Sequence, residues 1–190
     1  MIHNSLKIIF FGTPEFATII LQALLDAGMP PVAVVTAPDK PAGRGHHVQS
    51  PPVKLLANTH RIPVLQPEKI KDKDFLTILR NYNADVFVIA AYGKILPAAL
   101  LDIPPKGIIN VHPSLLPRHR GASPIQGAIL AGDKETGVTL MLTDEQMDHG
   151  PILMNRELRI KNYGITYVEL HNQLAKIAGT LLVETLPKWI

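Results

Sequence analysis

No cysteine occurs among the 190 residues of this chain. Disulfides, thiolate catalysis and Cys-ligated zinc are thereby excluded, and a reducing, cytoplasmic setting is the compartment that fits. No apolar run approaches the ~18 to 20 residues needed to span a membrane. The opening Met1-Ile2-His3-Asn4-Ser5-Leu6-Lys7 lacks an apolar stretch before a small-residue cleavage site, so it does not read as a secretory signal. Nucleotide signatures are missing as well. The first apolar run leads into Phe11-Gly12-Thr13-Pro14-Glu15-Phe16, with one glycine where a dinucleotide fold wants Gly-x-Gly-x-x-Gly. No Gly-Lys-Ser or Gly-Lys-Thr exists for a phosphate loop. Histidines and carboxylates are present, but no cluster has metal-ligand spacing. Internal repeats and low-complexity tracts are absent.

What is there describes an ordinary globular core. Hydrophobic residues make up 46% of the chain and charged residues 18%, which suits one domain or one domain with a short appendage. The formal net charge of +3 is mildly basic and by itself a weak pointer to nucleic acid. Many of the 17 prolines fall between periodic segments, as turn residues do.

Strands are expected over Leu6–Phe11, Val32–Thr36, Asp85–Ala91, Gly107–Val111 and Val138–Leu142, with a short edge strand at Val64-Leu65. Pro14 opens a helix with Phe16, Ile19, Ile20 and Leu24 on its apolar face, and Gly28 stops it. Helices are also expected over Val53–Asn58, Phe75–Leu79, Pro124–Leu130 and Thr166–Leu186. Ile152–Ile160 extends or pairs with the sheet. Ala37–Pro52 reads as a polar loop rich in glycine and proline. This alternation implies an α/β fold with a doubly wound, mostly parallel sheet. Pro187-Lys188-Trp189-Ile190 reads as the start of a linker.

Two polar segments at strand ends stand out. Asn110-Val111-His112-Pro113-Ser114-Leu115-Leu116-Pro117 ends one apolar run, and Met147-Asp148-His149-Gly150-Pro151 follows another. Polar groups at the end of a buried strand are costly unless they act, and strand ends are where ligands bind in such sheets. Asn110 and His112 alternate along a strand and share one side, so their N–H groups can converge on one oxygen, as an oxyanion requires. Asp148 can orient His112 and favour its protonated form. The bland alternative is a structural histidine with Asn110 capping a turn. After Asp85–Ala91 comes Tyr92-Gly93-Lys94-Ile95-Leu96-Pro97, which either walls a flat heteroaromatic ligand or simply packs in the core. Gly12, Thr13 and Pro14 either offer helix N-terminal amides to a substrate or form a plain turn. In Pro38–His47, the cations Lys40 and Arg44, with Gly43, Gly45, His46 and His47, suit a phosphate backbone, or else form a solvated loop. Arg118, His119 and Arg120 are either a solvated turn or an entrance for an anion.

Asn110-x-His112-Pro113-Ser114-Leu115-Leu116-Pro117, then Arg118-x-Arg120-Gly121, then Asp148-x-Gly150, resembles the signature of the folate-dependent formyltransferases in order and spacing. Gly12-Thr13-Pro14-Glu15-Phe16 and the segment Pro38-Asp39-Lys40-Pro41-Ala42-Gly43-Arg44-Gly45, continuing to Ser50-Pro51-Pro52-Val53-Lys54, are similar to the branch whose acceptor is methionyl-initiator tRNA. The resemblance implies a Rossmann-like formyltransferase catalytic domain over residues 1–190, with a linker beginning near 187 and the family's C-terminal barrel domain absent. It implies transfer of formyl from 10-formyltetrahydrofolate to the methionyl α-amine, with no metal, no membrane and no call for an oligomer. Asn110, His112 and Asp148 become the catalytic trio. Ser114, Leu115, Leu116 and Pro117, with Tyr92, Gly93, Ile95 and Leu96, border the folate. Gly12, Thr13, Pro14, Lys40, Arg44 and Gly45 meet the tRNA substrate. Asn110 and protonated His112 would stabilise the formyl oxygen as charge develops, and Asp148 would take the amine proton through water. The rival readings are an amino-sugar nucleotide N-formyltransferase and a silent folate- or RNA-binding module.

Overall fold

Uninterrupted apolar runs such as Ile8–Phe11 and Val86–Ala90 have no polar face to give to water, so they form strands covered on both sides. The computed structural model describes residues 6–42, 47–160 and 164–189. In chain order its elements are β1 (Ile8–Gly12), α1 (Glu15–Asp26), β2 (Ala33–Val35), β3 (Lys40–Ala42), β4 (His47–Gln49), α2 (Pro52–Thr59), β5 (Val64–Leu65), α3 (Lys73–Asn81), β6 (Val86–Ala90), α4 (Ala98–Leu101), β7 (Ile108–His112), α5 (Pro124–Leu130), β8 (Glu135–Leu142), β9 (Ile152–Arg159) and α6 (Tyr167–Trp189).

Seven strands make one sheet in the order β5-β2-β1-β6-β7-β8-β9. From β5 to β7 the neighbours are parallel; β8 is antiparallel to β7, and β9 to β8. The mostly parallel, doubly wound sheet expected from the sequence is therefore the fold, with Val64-Leu65 as one edge and Ile152–Arg159 as the other. Alternate strand residues sort into two cores. Ile8, Phe10, Val34, Val86 and Val88 pack with α1, α2 and α6. Ile9, Phe11, Val35, Phe87 and Ile108 pack on the opposite face with α3 and α4.

Local chemistry sets the helix ends. Pro14 precedes α1 in an extended conformation, and Gly28 ends the turn after it at φ 71°, a left-handed value that glycine adopts without strain. At the start of α6, Thr166 and Glu169 form a reciprocal capping box. The Thr166 N–H donates to Glu169 Oε2 at 2.9 Å and the Glu169 N–H to Thr166 Oγ1 at 3.3 Å. Midway along α6, Gly179 lets that helix press on α1, since a Cβ there would lie 2.6 Å from the Ala23 methyl.

Two expectations are corrected here. The 37–52 segment is not loop throughout: β3 and β4 pair as a small antiparallel ribbon, Lys40 opposite Gln49 and Pro41 opposite Val48. Proline and flanking glycines hid the alternation that marks such a ribbon. The segment expected to begin a linker near 187 is still helical through Trp189, whose indole N–H donates to the Lys106 carbonyl at 3.0 Å.

The connections β1–β2–β5 run one way across the sheet, and β6–β7 run the other. The reversal falls between β1 and β6, and the crevice in which such folds bind ligands lies outside the carboxyl ends of strands at that point. Gly12 pairs with Ala90 there, and Ile89 pairs with Asn110 on the next strand. Residues 12–14, 91–97 and 112–117 thus leave three adjacent strands at one end of the sheet.

Candidate functional site

Asn110 and His112 project from β7 on the face away from α1 and α6, because Ile109 and Val111 between them belong to the other core. The turn after β8 reaches them by a route the sequence did not indicate. β8 is antiparallel to β7, with Leu142 opposite Ile109 and Thr139 opposite His112, so the turn begins at the far end of β7. It then folds back over the sheet. Gly150 makes this possible: a Cβ there would collide with the Leu142 carbonyl. Asp148 does not come from a strand end beside that of β7, as expected, but from this returning loop.

The three side chains meet. Asn110 Nδ2 donates to Asp148 Oδ1 at 3.1 Å, and His112 Nδ1 lies 3.6 Å from the same oxygen. Asp148 Oδ2 accepts the Gly121 backbone N–H at 2.8 Å. The side chains of His112 and Asp148 are only 6% and 10% exposed, so charge there is poorly screened. Asn110 and His112 do converge on one oxygen, and it is the carboxylate oxygen of Asp148. His112 Nε2 faces the His119 carbonyl at 3.0 Å. A carbonyl only accepts, so Nε2 carries a hydrogen and the Nδ1 edge is the one turned to Asn110 and Asp148. Left-handed backbone gathers here: Ala91 (φ 47°), His119 (φ 54°) and Asp148 (φ 49°) all hold it without being glycine. Strain of this kind persists where the surroundings over-determine it, commonly at functional sites.

The 113–118 turn is tied down on β8. Thr139 Oγ1, fully buried, donates to the Ser114 carbonyl at 2.7 Å and accepts the Leu116 N–H at 3.1 Å. Leu115 lies over Gly137, where a Cβ would come 2.6 Å from Leu115 Cδ2. The Leu116–Pro117 peptide is cis. Thr139 and Gly137 were not singled out from the sequence, and Gly121 entered only as part of the Arg118-x-Arg120-Gly121 motif. A threonine inside the apolar run Val138–Leu142 was the one visible signal.

Two of the residues expected to wall a ligand do otherwise with their side chains. Ser114 is fully buried and its hydroxyl donates to the Arg118 carbonyl at 2.7 Å. Tyr92 is 4% exposed, with its ring edge-on to Phe11 at 5.5 Å. Burial pushes the Tyr92 phenol up to about 12. Its hydroxyl finds no partner among the described residues. A buried unpaired hydroxyl costs roughly 1 to 3 kcal/mol. Tyr92→Phe is therefore expected to raise stability by about 1 kcal/mol, read as a higher urea midpoint at unchanged slope. An unchanged or lower midpoint would mean that the hydroxyl has a partner. Ile95 is 75% exposed and Leu96 half-buried, so Ile95 is free to meet a ligand. Gly93 is exposed, with φ 80°.

Of the residues expected to meet an acceptor, Gly12 is buried. A Cβ there would strike Ala17, Phe10 and the Ala90 carbonyl, so its role is close packing of β1, α1 and β6. Thr13 Oγ1 donates to the Tyr92 carbonyl at 3.4 Å, spanning the crevice. Pro14 and Lys40 are exposed. Arg44 and Gly45, with Gly43 and His46, lie outside the described residues. The stem of the β3–β4 ribbon is anchored through Asp39, which accepts Lys54 Nζ and Gln66 Nε2 at 2.7 and 2.8 Å. Those bonds hold the Asp39 carboxyl below its usual range. Among the described residues, no three His, Asp or Glu side chains gather as metal ligands would.

The polar set of β7, the returning Asp148 loop and the β1–β6 crevice can be compared with known proteins. The model of the formyl transferase family matches residues 6–186. The chain belongs to the formyl transferase family. It is 51% identical over 184 residues to a methionyl-tRNA formyltransferase of Pelobacter propionicus, covering 96% of this chain and 57% of that protein. A methionyl-tRNA formyltransferase of Magnetococcus marinus is 52% identical over 182 residues, with 96% and 58% covered. Among solved structures, a phosphoribosylglycinamide formyltransferase from Bacillus halodurans superposes with TM-score 0.78 at 28% identity, covering 96% of this chain and 94% of that one. A glycinamide ribonucleotide transformylase 1 from Geobacillus kaustophilus gives 0.76 at 27%, with 97% and 99% covered. This formyl transferase chain thus spans 57% of the length of the first of these curated relatives and nearly all of the two solved chains.

The formyl transferase site has an anchored flank. Asp133, after α5, accepts His119 Nε2 at 2.6 Å and Arg118 Nε at 2.9 Å, and pairs with Arg118 Nη2. Arg118 and His119 are therefore neither a free solvated turn nor an open anion entrance. The Arg118 guanidinium, seconded by His119, holds the Asp133 carboxyl down at about 2. The native carboxylate takes up protons less readily than the unfolded one. Its contribution is complete above the usual value of 3.8 and is lost as pH falls toward about 2. Between about pH 4 and about pH 2 the urea midpoint should fall more steeply for the wild type than for Asp133→Asn. Parallel falls in the two proteins would contradict it.

Proposed function

We propose that this chain transfers a formyl group from 10-formyltetrahydrofolate to the α-amine of methionyl-initiator tRNA in translation initiation, as a cytoplasmic enzyme. The observation that carries the chemistry is the convergence of Asn110 Nδ2, His112 Nδ1 and Asp148 Oδ1 in one poorly hydrated locus beside the crevice. The acceptor follows from the near-50% identity to proteins named for that acceptor.

The amine nitrogen bonds to the formyl carbon, and negative charge grows on the formyl oxygen. Asn110 has a second amide hydrogen to offer it, and a protonated His112 offers Nδ1–H from the edge that faces the same locus. Asp148, with Oδ1 3.6 Å from His112 Nδ1, holds that edge of the ring at the locus and takes the amine proton through water. The bond from carbon to folate N10 then breaks, and the proton that left the amine is passed back through the same water to the departing nitrogen, so charge balances. Leu115, Leu116, Pro117, Gly93, Ile95 and Leu96 border the folate, Tyr92 and Ser114 contributing backbone only. Thr13, Pro14 and Lys40 lie toward the acceptor, and Arg44 and Gly45, which fall between β3 and β4 in sequence, add basic contact to tRNA phosphates.

The test is turnover of purified chain with the folate donor and methionyl-initiator tRNA, read as formyl-methionine by mass spectrometry after hydrolysis of the ester. Binding of tRNA or folate without product would indicate a silent module. Formylation of an amino-sugar nucleotide with methionyl-tRNA left untouched would indicate the sugar enzyme. Either outcome sinks the proposal.

A further inference from the structure

We infer that Asp133 is a positioning residue for His112, acting through the His119 backbone carbonyl; the inference rests on the reading of His112 given above. Asp133 touches none of the three side chains at the locus. It holds the residue that does the holding.

The chain of contacts is short and each link has a reason. The Nε2–H bond to the His119 carbonyl at 3.0 Å fixes which edge of the buried His112 ring faces Asp148 and Asn110. That carbonyl points inward because His119 adopts φ 54°, a conformation L-residues avoid unless held. Three contacts hold it. The His119 ring donates from Nε2 to Asp133 Oδ2 at 2.6 Å. The other edge of the ring lies over Gly127, where a Cβ would come 2.7 Å from Nδ1, so only glycine leaves room for it. Arg118, the preceding residue, is gripped by the same carboxylate through Nε and Nη2, while its carbonyl accepts the Ser114 hydroxyl from the other side. Asp133 itself is well placed for this. Its side chain is 8% exposed, and its N–H donates to the Ala128 carbonyl at 3.0 Å, closing the turn after α5. Removing the carboxylate frees both Arg118 and His119, lets φ of His119 relax, and leaves the His112 ring without its anchor.

The experiment has two readouts on the full chain. In ¹⁵N-histidine NMR spectra, with the His112 signals assigned by their loss in His112→Gln, wild-type Nε2 should appear as a protonated nitrogen. In Asp133→Asn it should shift toward the average of the two tautomers. In single-turnover and steady-state assays, Asp133→Asn and His119→Gly should each lower kcat by about tenfold with KM values nearly unchanged. The double variant should be no slower than the slower single variant, since both break one chain. Glycine at 119 tolerates the left-handed backbone, so that variant removes the ring contact without adding strain. Additive losses, or a lower melting temperature with unchanged kcat and unchanged His112 Nε2 signal, would overturn the inference. A wild type that turns over no methionyl-tRNA refutes the acceptor reading instead. The NMR arm then still decides the role of Asp133.

Discussion

Asn110→Ala is expected to lower kcat by about 10²- to 10³-fold, the loss seen when one oxyanion donor is removed. The fold should survive the change. Asn110 is mid-strand, with its backbone in register between Ile89 of β6 and Met141 of β8, and alanine keeps both pairings. Asp148 retains the Gly121 N–H at 2.8 Å, so the returning loop stays in place. What disappears is the amide nitrogen that shares the Asp148 oxygen with His112. KM for both substrates should change little, because the missing bond matters most when charge has grown on the formyl oxygen. Asp148→Asn should cost at least as much, because it removes both the negative charge facing His112 and the acceptor for the amine proton. Rates within a few-fold of wild type for either variant, in protein with an unchanged melting temperature, would remove these residues from the chemistry.

Gly137→Val should be the most damaging single change to the architecture of the site. Gly137 is a strand residue on β8, where glycine is intrinsically weak, so its presence calls for a packing reason. A Cβ would collide with the Arg156 carbonyl on β9 and come 2.6 Å from Leu115 Cδ2. Backbone on one side cannot yield without opening the β8–β9 pairing at Val138 and Arg156. On the other side Leu115 must lift, carrying with it the turn that Thr139 secures through the Ser114 carbonyl and the Leu116 N–H. Overpacking of this kind costs typically about 1 to 3 kcal/mol, and more when backbone must move. Thermal unfolding should show the loss in stability. Folate affinity, by fluorescence titration below the melting temperature, should fall more than for a core substitution of equal cost, such as one at Val53 on the buried face of α2. Equal losses would mean that the turn does not depend on Gly137.

Much of this molecule is legible in its residues. Ile8–Phe11 and Val86–Ala90 can only be covered strands. Phe16, Ile20 and Leu24 recur with a helical period, and the Thr166-x-x-Glu169 spacing caps its helix as the motif predicts. Asn110 and His112 were placed on one side of a strand by simple alternation, and they are. The β3–β4 ribbon was missed because Pro41 and its neighbours carry turn chemistry, while its pairing spans residues whose hydrophobic signal is weak. The inward turn of the Tyr92 and Ser114 side chains is not legible, because a residue that offers its backbone to a site and one that offers its side chain have the same local sequence. Which way the side chain turns depends on partners such as Phe11 and the Arg118 carbonyl.

The sequence by itself determined the layered α/β order, the polar character of the β7 end and the three residue types that meet there. Those follow from short-range rules: periodicity, caps and turn preferences act over a few residues. Only the tertiary structure decided how Asp148 arrives, which edge of His112 faces it, and that Asp133 and Gly127 stand behind His119. Each of these is a contact between segments made neighbours by strand direction and loop return. The antiparallel turn of β8 is the physical reason, because it sends the Asp148 loop back over the face of β7 instead of beside its end.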